Sequence, residues 1–409
     1  MNQLFHTPRR PAAAVRIALL AVLAAAGALA AAGALAAETQ TRALRQSFPL
    51  TPGAELRLAN LAGRVELIPG QGPEVVVEAT LHADFSGSGE SERQLAAMKW
   101  VRAHDKKGRE EWALSYPVET YHSFHYPSAG AKDETSFWSF LDSSSSSTIY
   151  RGVKVRVYSG RRSPSSPTLY ADLKIALPAG SNVALRNVVG AIHGGALEGT
   201  LDLDTGSGDI QLASYCGKLR LDTGSGDVMV GATRGETSID TGSGDVVVHE
   251  MVGNGSIDTG SGNVRVEKVS VGKLKIDTGS GDVAIRGGVA GRLQADTGSG
   301  TVKVLGVEVE ELLADTGSGE VEIVSSLANA RSVTVKTGSG DVRIHAGPAA
   351  AFDVAADQGS GELRVDYGDA TLRRSGHKVV GARRGDGKTA IRVETGSGDC
   401  TISPHAAKS

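Results

Sequence analysis

Cysteine, aromatic side chains and surplus charge of either sign are all scarce in this chain of 409 residues. Its two cysteines, Cys216 and Cys400, cannot form the framework of a disulfide-stapled scaffold. With 43 basic residues against 46 acidic ones, it lacks the basic face that binding to a phosphate backbone needs, which excludes nucleic acid as a partner class. Collagen is excluded because glycine follows no three-residue period, and wholesale disorder because 40% of the residues are hydrophobic. No Gly-x-x-x-x-Gly-Lys-Ser/Thr or Gly-x-Gly-x-x-Gly string opens a helix, so no phosphate cradle is read and no cofactor is expected.

The long apolar run lies at the start. Arg9, Arg10 and Arg16 precede the stretch Ile17 to Ala37, which closes on Ala34-Leu35-Ala36, the pattern of a secretory signal peptide over residues 1–37. The competing reading is an uncleaved anchor, since the run is long enough to span a bilayer. Only then would the protein sit in a membrane. Cleavage leaves 40 basic residues against 46 acidic ones, a mildly acidic exported protein. No sorting segment or barrel is recognised after the repeats, so periplasmic residence is the default over display at the cell surface.

Glycine, by contrast, is abundant, with 53 copies. Asp-Thr-Gly-Ser-Gly-Asp starts at Asp204, Asp222 and Asp240, and variants follow at Asp258, Asp277, Asp296, Asp315, Lys336, Asp357 and Glu394. The steps are 18, 18, 18, 19, 19, 19, 21, 21 and 37 residues, the last implying one degenerate or looped-out copy between Tyr367 and Arg384. Weaker copies sit at Leu56 to Leu67 and at Val183 to Ile192. Apolar residues alternate on both sides of each Gly-Ser-Gly, which makes every copy strand, corner, strand. Positive φ is the expected reason for the corner glycines, and Gly217, Gly235, Gly253, Gly272 and Gly291 are expected to mark a second bend.

A unit this short cannot bury its own apolar face, but copies stacked at about 4.8 Å form a continuous core. The fold expected is all-β: a single-stranded β-helix, or β-solenoid, of 18–21-residue rungs. Ile210, Val228, Val246, Val264, Val283, Val302, Val321, Val342, Leu363 and Cys400 share one position and form an inward ladder, joined by a second ladder two residues on. The motif Thr-Gly-Ser-Gly-Asp-Val at this period, with Leu173 to Ser181 (Leu-Lys-Ile-Ala-Leu-Pro-Ala-Gly-Ser) before it, resembles the bacterial putative-adhesin family of β-strand-repeat domains of unknown function. The resemblance implies the repeat architecture and an adhesin-like role in the cell envelope.

Asp-Thr-Gly-Ser is also the string of aspartic proteases, but those need two carboxylates in one unique setting, and here seven interchangeable copies recur. In register, Asp204 to Asp315 form a column of acids that repel by about 0.9 kcal/mol per adjacent pair in water. A second column runs through Asp209, Asp227, Asp245, Asn263, Asp282, Thr301, Glu320, Asp341, Glu362 and Asp399. Bonds to corner amides or bound calcium could offset such repulsion, and the lapses to Asn and Thr favour the turn role. The repeated threonines are expected to bond from rung to rung. His122 and His125 are spaced for a metal, though no acid or cysteine completes a site beside them, so no metal is expected.

One segment breaks the repeat. His82 to Tyr170 holds 13 of the 18 aromatics, with a short helix within Glu90 to Ala103, strands at Glu110 to Tyr116 and Gly152 to Tyr158, and a long loop from Tyr121 to Ser147. It either caps the open end of the solenoid or binds a partner. The candidate interaction residues are Tyr121, Phe124, Tyr126, Phe137, Trp138 and Phe140, as rigid amphipathic contact area. The organisation read is a signal peptide (1–37), an N-terminal rung (38–81), an aromatic-rich insertion or cap (82–170) and the repeat domain (171–409). No catalytic constellation is found. The function read is an exported, non-catalytic, adhesin-like envelope protein, structural or binding, whose unidentified partner is an envelope protein or a glycan. The alternative is a carbohydrate-active enzyme on a parallel β-helix.

Overall fold

The computed structural model describes residues 39–51, 53–105, 107–127, 145–159 and 166–405, so the expected signal peptide lies outside the described residues. The repeats fold as a β-solenoid of about nine turns. In the middle of the stack, the strands Ile192–Ser207, Ile210–Ser225, Val228–Ser243, Val246–Ser261, Val264–Ser280, Val283–Thr297 and Val302–Thr316 each pair in parallel with the next. Copies superpose residue on residue: Asp222 lies beside Asp204 and Asp240, and Thr223 beside Thr205 and Thr241. Among the described residues no helix is long and apolar enough to cross a membrane.

Alternation sends two ladders inward on either side of the corner. Leu58, Leu185, Leu203, Leu221, Ile239, Ile257, Ile276, Ala295 and Ala314 follow one another in register and are all buried. The second runs from Val65 through Ile192, Ile210 and Val228 to Val342 and Cys400, also buried. Each fully buried aliphatic contributes roughly 1.5–3 kcal/mol, so these ladders dominate cohesion.

The reason for the corner glycines differs from the expected one. Positive φ occurs at Gly208, Gly226 and Gly244 but not at their equivalents Gly262, Gly281, Gly300, Gly319, Gly340 and Gly398. What all share is contact with the rung before: a Cβ on Gly226 would lie 2.3 Å from the Gly208 carbonyl oxygen, and one on Gly300 1.8 Å from that of Gly281. Stacking leaves no room for a side chain.

The second bend also differs. Gly217, Gly235 and Gly253 stack with φ of 124°, 123° and 115°. Where rungs lengthen to 19 residues, the register shifts between Gly253 and Gly255, and Gly272 and Gly291 leave the left-handed region. Lys268, Gly287 and Gly306 are left-handed instead, at φ of 50°, 65° and 69°, with Gly288 beside them at 107°. The extra residue opens the old corner and the tight turn moves upstream.

The first complete rung is Leu56–Ala62 with Val65–Gly70, on which Ser181–Val189 and Ile192–Ser207 stack, and the strand Thr168–Pro178 lies parallel and in register along the other edge of Val65–Gly70. On the outer side, the hairpin Trp100–His104 and Glu110–Leu114 touches this first rung at Leu58 and Ala59 through Trp112 and Ala113. Strands Gln40–Pro49 and Glu74–Asp84 run antiparallel, so residues 38–81 supply a sheet edge as well as a rung. Arg42 places its guanidinium on the carbonyls of Leu95, Ala96 and Met98, where the helix Glu90–Ala97 ends and a cation is favoured.

Past Ala346 the repeat is interrupted by an antiparallel hairpin, Thr371–Ser375 with Lys378–Arg384. This is the looped-out stretch behind the 37-residue step. Thr389–Thr395 and Cys400–Pro404 then rejoin the stack beside Ser332–Thr337 and Val342–Ala346. Cys400 therefore lies eight rung steps from Cys216, one or two fewer than sequence order implies, roughly 38 Å at about 4.8 Å each. Both cysteines are free, Cys400 buried with its thiol pushed up to about 12 by desolvation and Cys216 exposed.

Close approach and backbone conformation can be separated experimentally. Gly306→Ala adds a Cβ that meets nothing within 4 Å and carries only the left-handed penalty, about 1–2 kcal/mol. Gly300→Ala must push two backbones apart. Urea unfolding should show at least twice the loss for Gly300→Ala, and equal losses would mean that the corner glycines serve φ alone.

Candidate functional site

The repeated acids have two distinct environments. At each corner the main-chain ladder is interrupted, leaving one amide without a carbonyl. The second column supplies the missing acceptor: Asp209 Oδ1 accepts from the Asp227 N–H (2.9 Å), Asp227 Oδ1 from Asp245, Asp245 Oδ1 from Asn263, and Asn263 Oδ1 from Asp282. Asparagine serves as well as aspartate because the bond needs only an oxygen. The turn role is thus the observed one.

The threonines do not bond to one another. Thr223, Thr241, Thr259, Thr278, Thr297, Thr316 and Thr337 donate to the second corner glycine carbonyl of the preceding rung, at 2.8–3.4 Å. Thr205 Oγ1 is buried without a partner, because Asn187 Nδ2 already holds the Gly190 carbonyl at 3.0 Å.

The first acid column lies in register from Asp204 to Asp315 and ends against Lys336. Asp240 and Asp296 are raised above the ordinary carboxyl range, first by partial burial and then by the aspartates on either side. Arg220 beside Asp222 (3.4 Å) and Lys275 beside Asp277 (3.4 Å) relieve it in part. Among the described residues no group of three His, Cys, Asp or Glu side chains is arranged to hold a metal ion. His122 is exposed, whereas His125 is buried with Nδ1 3.2 Å from Thr168 Oγ1. An odd spacing next to a strand turns the two rings apart.

The described part of the aromatic segment, the lid, packs against the first rung. Ser123–Tyr126, read from sequence as loop, is a strand paired with Val153–Ser159 and touching Thr168 through His125. Phe124 is fully buried against Tyr116 (ring centroids 5.8 Å apart), and Tyr121 is half-buried on Phe85. Phe124 and Tyr126 are both buried, Phe124 within the packing against Tyr116 and Tyr126 at the rim of a cleft. Phe137, Trp138 and Phe140 lie outside the described residues. Tyr116 donates to Asn60 Oδ1 and the Ala62 carbonyl, and Tyr150 to the carbonyls of Ala59 and Leu114. These hydroxyls do for the first rung what a preceding rung does elsewhere. Beside them Arg186 bonds Glu111 at 2.8 Å, yet burial leaves the Glu111 carboxyl above its usual range.

Where lid and solenoid meet, a cleft of about 480 Å³ opens between Tyr126, Tyr170, Thr80, Arg64, Lys174, Glu66, Glu78 and Asp172. The two tyrosine rings meet edge to face at 5.2 Å, and Tyr170 stacks on His82 at 4.4 Å. Burial would raise the Asp172 carboxyl, but His82 at 3.3 Å and the Arg64 amide at 2.8 Å hold it below its usual range. Burial and the Asp172 charge push the Tyr126 hydroxyl up to about 12. Sequence reading missed Arg64, His82 and Asp172, which are 90 and 108 residues apart in their pairings. A trace was present: Arg64 stands where the repeat has Asp, and Asp172, beside it on the parallel strand Thr168–Pro178, accepts its amide as the second-column acids do from rung to rung.

Residues 238–403 match the model of the Toastrack DUF4097 family. That stretch is less than half of the chain. The chain is similar, at 12% identity and a TM-score of 0.39, to a crystal structure described as a putative adhesin from Parabacteroides distasonis ATCC 8503, covering 90% of this chain and 98% of that one. A putative lipid binding protein from the same organism is 12% identical with a TM-score of 0.33, covering 88% and 96%. A putative cell adhesion protein from Clostridium sporogenes ATCC 15579 is 10% identical with a TM-score of 0.17, covering 90% and 100%. Likenesses this low carry no argument about function. No curated protein matches the chain.

Three measurements check these assignments. Phe124→Ala should cost about 3–5 kcal/mol in urea unfolding, as for a core aromatic, and a loss under about 1 kcal/mol would place the ring outside the core. A carboxyl whose folded pKa is raised weakens the fold as pH rises past its unfolded value, so Asp240→Asn should raise Tm at neutral pH and lose that gain below about pH 4. Asp227→Asn should be nearly neutral and Asp227→Ala should cost about 1 kcal/mol; a stabilising Asp227→Ala would overturn its acceptor role.

Proposed function

We propose that the protein is an exported, non-catalytic, adhesin-like solenoid of the cell envelope, and that its binding chemistry is concentrated at the cleft between lid and first rung, with a glycan as the ligand class. The observation that carries this is the division of labour among polar groups. The acids of the second column and the threonines are committed, rung after rung, to corner amides and carbonyls, and the first column is one repeated acid, in register from rung to rung. The cleft has polar groups of both charges, a threonine and two tyrosines, which suits the mixed apolar and hydroxylated faces of a sugar.

An enzyme on the same scaffold would need a carboxylic acid kept protonated beside an ionised one. In the cleft Asp172 is held ionised by His82 and the Arg64 amide, and Glu66 pairs with Lys174 at 3.7 Å. This arrangement supports retention over cleavage. Export follows the reading of residues 1–37, with the periplasm as the default location.

The test is to incubate the purified protein with immobilised envelope and host glycans, alongside Tyr170→Ala. Retention of at least one glycan without release of fragments, weakened about ten-fold or more by Tyr170→Ala at unchanged Tm, is the expected result. Released fragments would favour the hydrolase. Absence of any retention, or retention indifferent to Tyr170, would overturn the cleft assignment.

A further inference from the structure

At the far end of the stack, order in space departs from order in the chain. Thr389–Thr395 pairs along one edge with Ser332–Thr337 and along the other with Phe352–Gln358. Cys400–Pro404 likewise lies between Val342–Ala346 and Leu363–Val365. The segment 389–404 is therefore inserted between two rungs that are consecutive in sequence. The chain leaves one rung-wide slot after Ala346, builds the outer rung and its hairpin, and comes back to fill the slot.

The inserted rung stacks closely on both of its sides. A Cβ on Gly396 would lie 2.4 Å from the Gly338 oxygen, and one on Gly359 2.0 Å from that of Gly396. The Asp399 amide donates to Asp341 Oδ1 (3.0 Å), and Asp399 Oδ1 accepts from the Glu362 amide (2.9 Å). Ile391, Val393, Cys400 and Ile402 continue the buried ladders. The outer rung departs from the motif. Gln358 stands in the threonine column, buried, with both amide atoms unpartnered. Lys378 Nζ covers the carbonyls of Gln358 (2.5 Å) and Gly359 (2.9 Å), which a following rung would otherwise use. The return to the slot passes through the short turn at Gly385, Asp386 and Gly387, in which Gly385 and Asp386 are exposed.

We propose that this slot is a strand-acceptor site whose ligand is the chain's own segment 389–404, and that this donor rung closes the solenoid. Recognition requires more than an apolar strand. The ligand must present glycine at 396 and 398 to pass the carbonyls of Gly338 and Gly340, and an acceptor at 399 for the outer rung. Residues 347–384 then depend on the donor for their order, although they precede it in the chain. A peptide of the same sequence should fill the slot in trans.

The test uses the full chain with a protease recognition sequence placed at Asp386, folded and then cut. The two pieces should co-elute. After separation in denaturant, the large piece should refold with residues 210–325 protected from hydrogen exchange and residues 347–384 exchanging at least about ten-fold faster than in the intact chain. A synthetic peptide of residues 387–405 should restore that protection, and the same peptide with Gly396→Ala and Gly398→Ala should not. Protection of 347–384 without peptide, or equal rescue by the glycine-substituted peptide, would overturn the proposal. Should the large piece aggregate, the uncut chain carrying Gly396→Ala and Gly398→Ala decides. Loss of protection across 347–384 with 210–325 unchanged supports the donor rung, and loss confined to 389–404 refutes it.

Discussion

The constraint on which the rest of this structure depends is the distance between successive corners. Each Gly-Ser-Gly brings its backbone so near the carbonyls of the preceding rung that a Cβ would fall within about 2.5 Å of an oxygen, as at Gly224, Gly242 and Gly260. That proximity keeps the rungs in register, and register lets identical side chains fall on one another. The ladders of Val, Ile and Leu follow from it. So does the tolerance for rungs of 18, 19 and 21 residues, because the added residues enter between corners and leave the corners aligned.

Interrupting a parallel ladder at a corner strands polar groups, and a buried group without a partner costs about 1–3 kcal/mol. The motif answers from within itself. Its threonine donates to the glycine carbonyl behind it, and its second acid accepts from the next rung's amide. From Thr297 onward the threonine oxygen also accepts the second glycine's own amide, as at Gly300, Gly319 and Gly340. The first acid column has no such duty at the corner, and it is there that partial burial, and after it neighbouring charges, push Asp240 and Asp296 upward.

Much of this was legible before any coordinates. Period, corner and inward ladders are local properties, written once per rung, and even the buried Cys400 follows from its place in the pattern. The reason for the glycines was not, since close approach between rungs is invisible in a single copy. Nor was the shift of the left-handed turn to Lys268, where nothing in the residue type announces φ of 50°. The aromatic segment was less legible for a related reason. Phe124 and Tyr126 are equally suited to a lid and to a recognition surface, and only the pairing of Ser123–Tyr126 with Val153–Ser159 separates the two.

The two ends show why. A solenoid's interior rungs are interchangeable, but each terminal rung presents a row of amides and carbonyls that invites another strand. At the start, Tyr116 and Tyr150 take over bonds that a preceding rung would make to Ala62 and Ala59, from positions far apart in the chain, while Asp172 stands on the parallel strand beside Val65–Gly70. At the finish, Lys378 covers the outer corner while the hairpin lies along Phe352–Ala355. Such substitutes carry no period, because each answers a different orphaned group. They are also where side chains of unlike character converge, and this is why the cleft of Tyr126 and Tyr170 sits at a seam. In a fold built from one repeated unit, unique chemistry arises where the repetition has to stop.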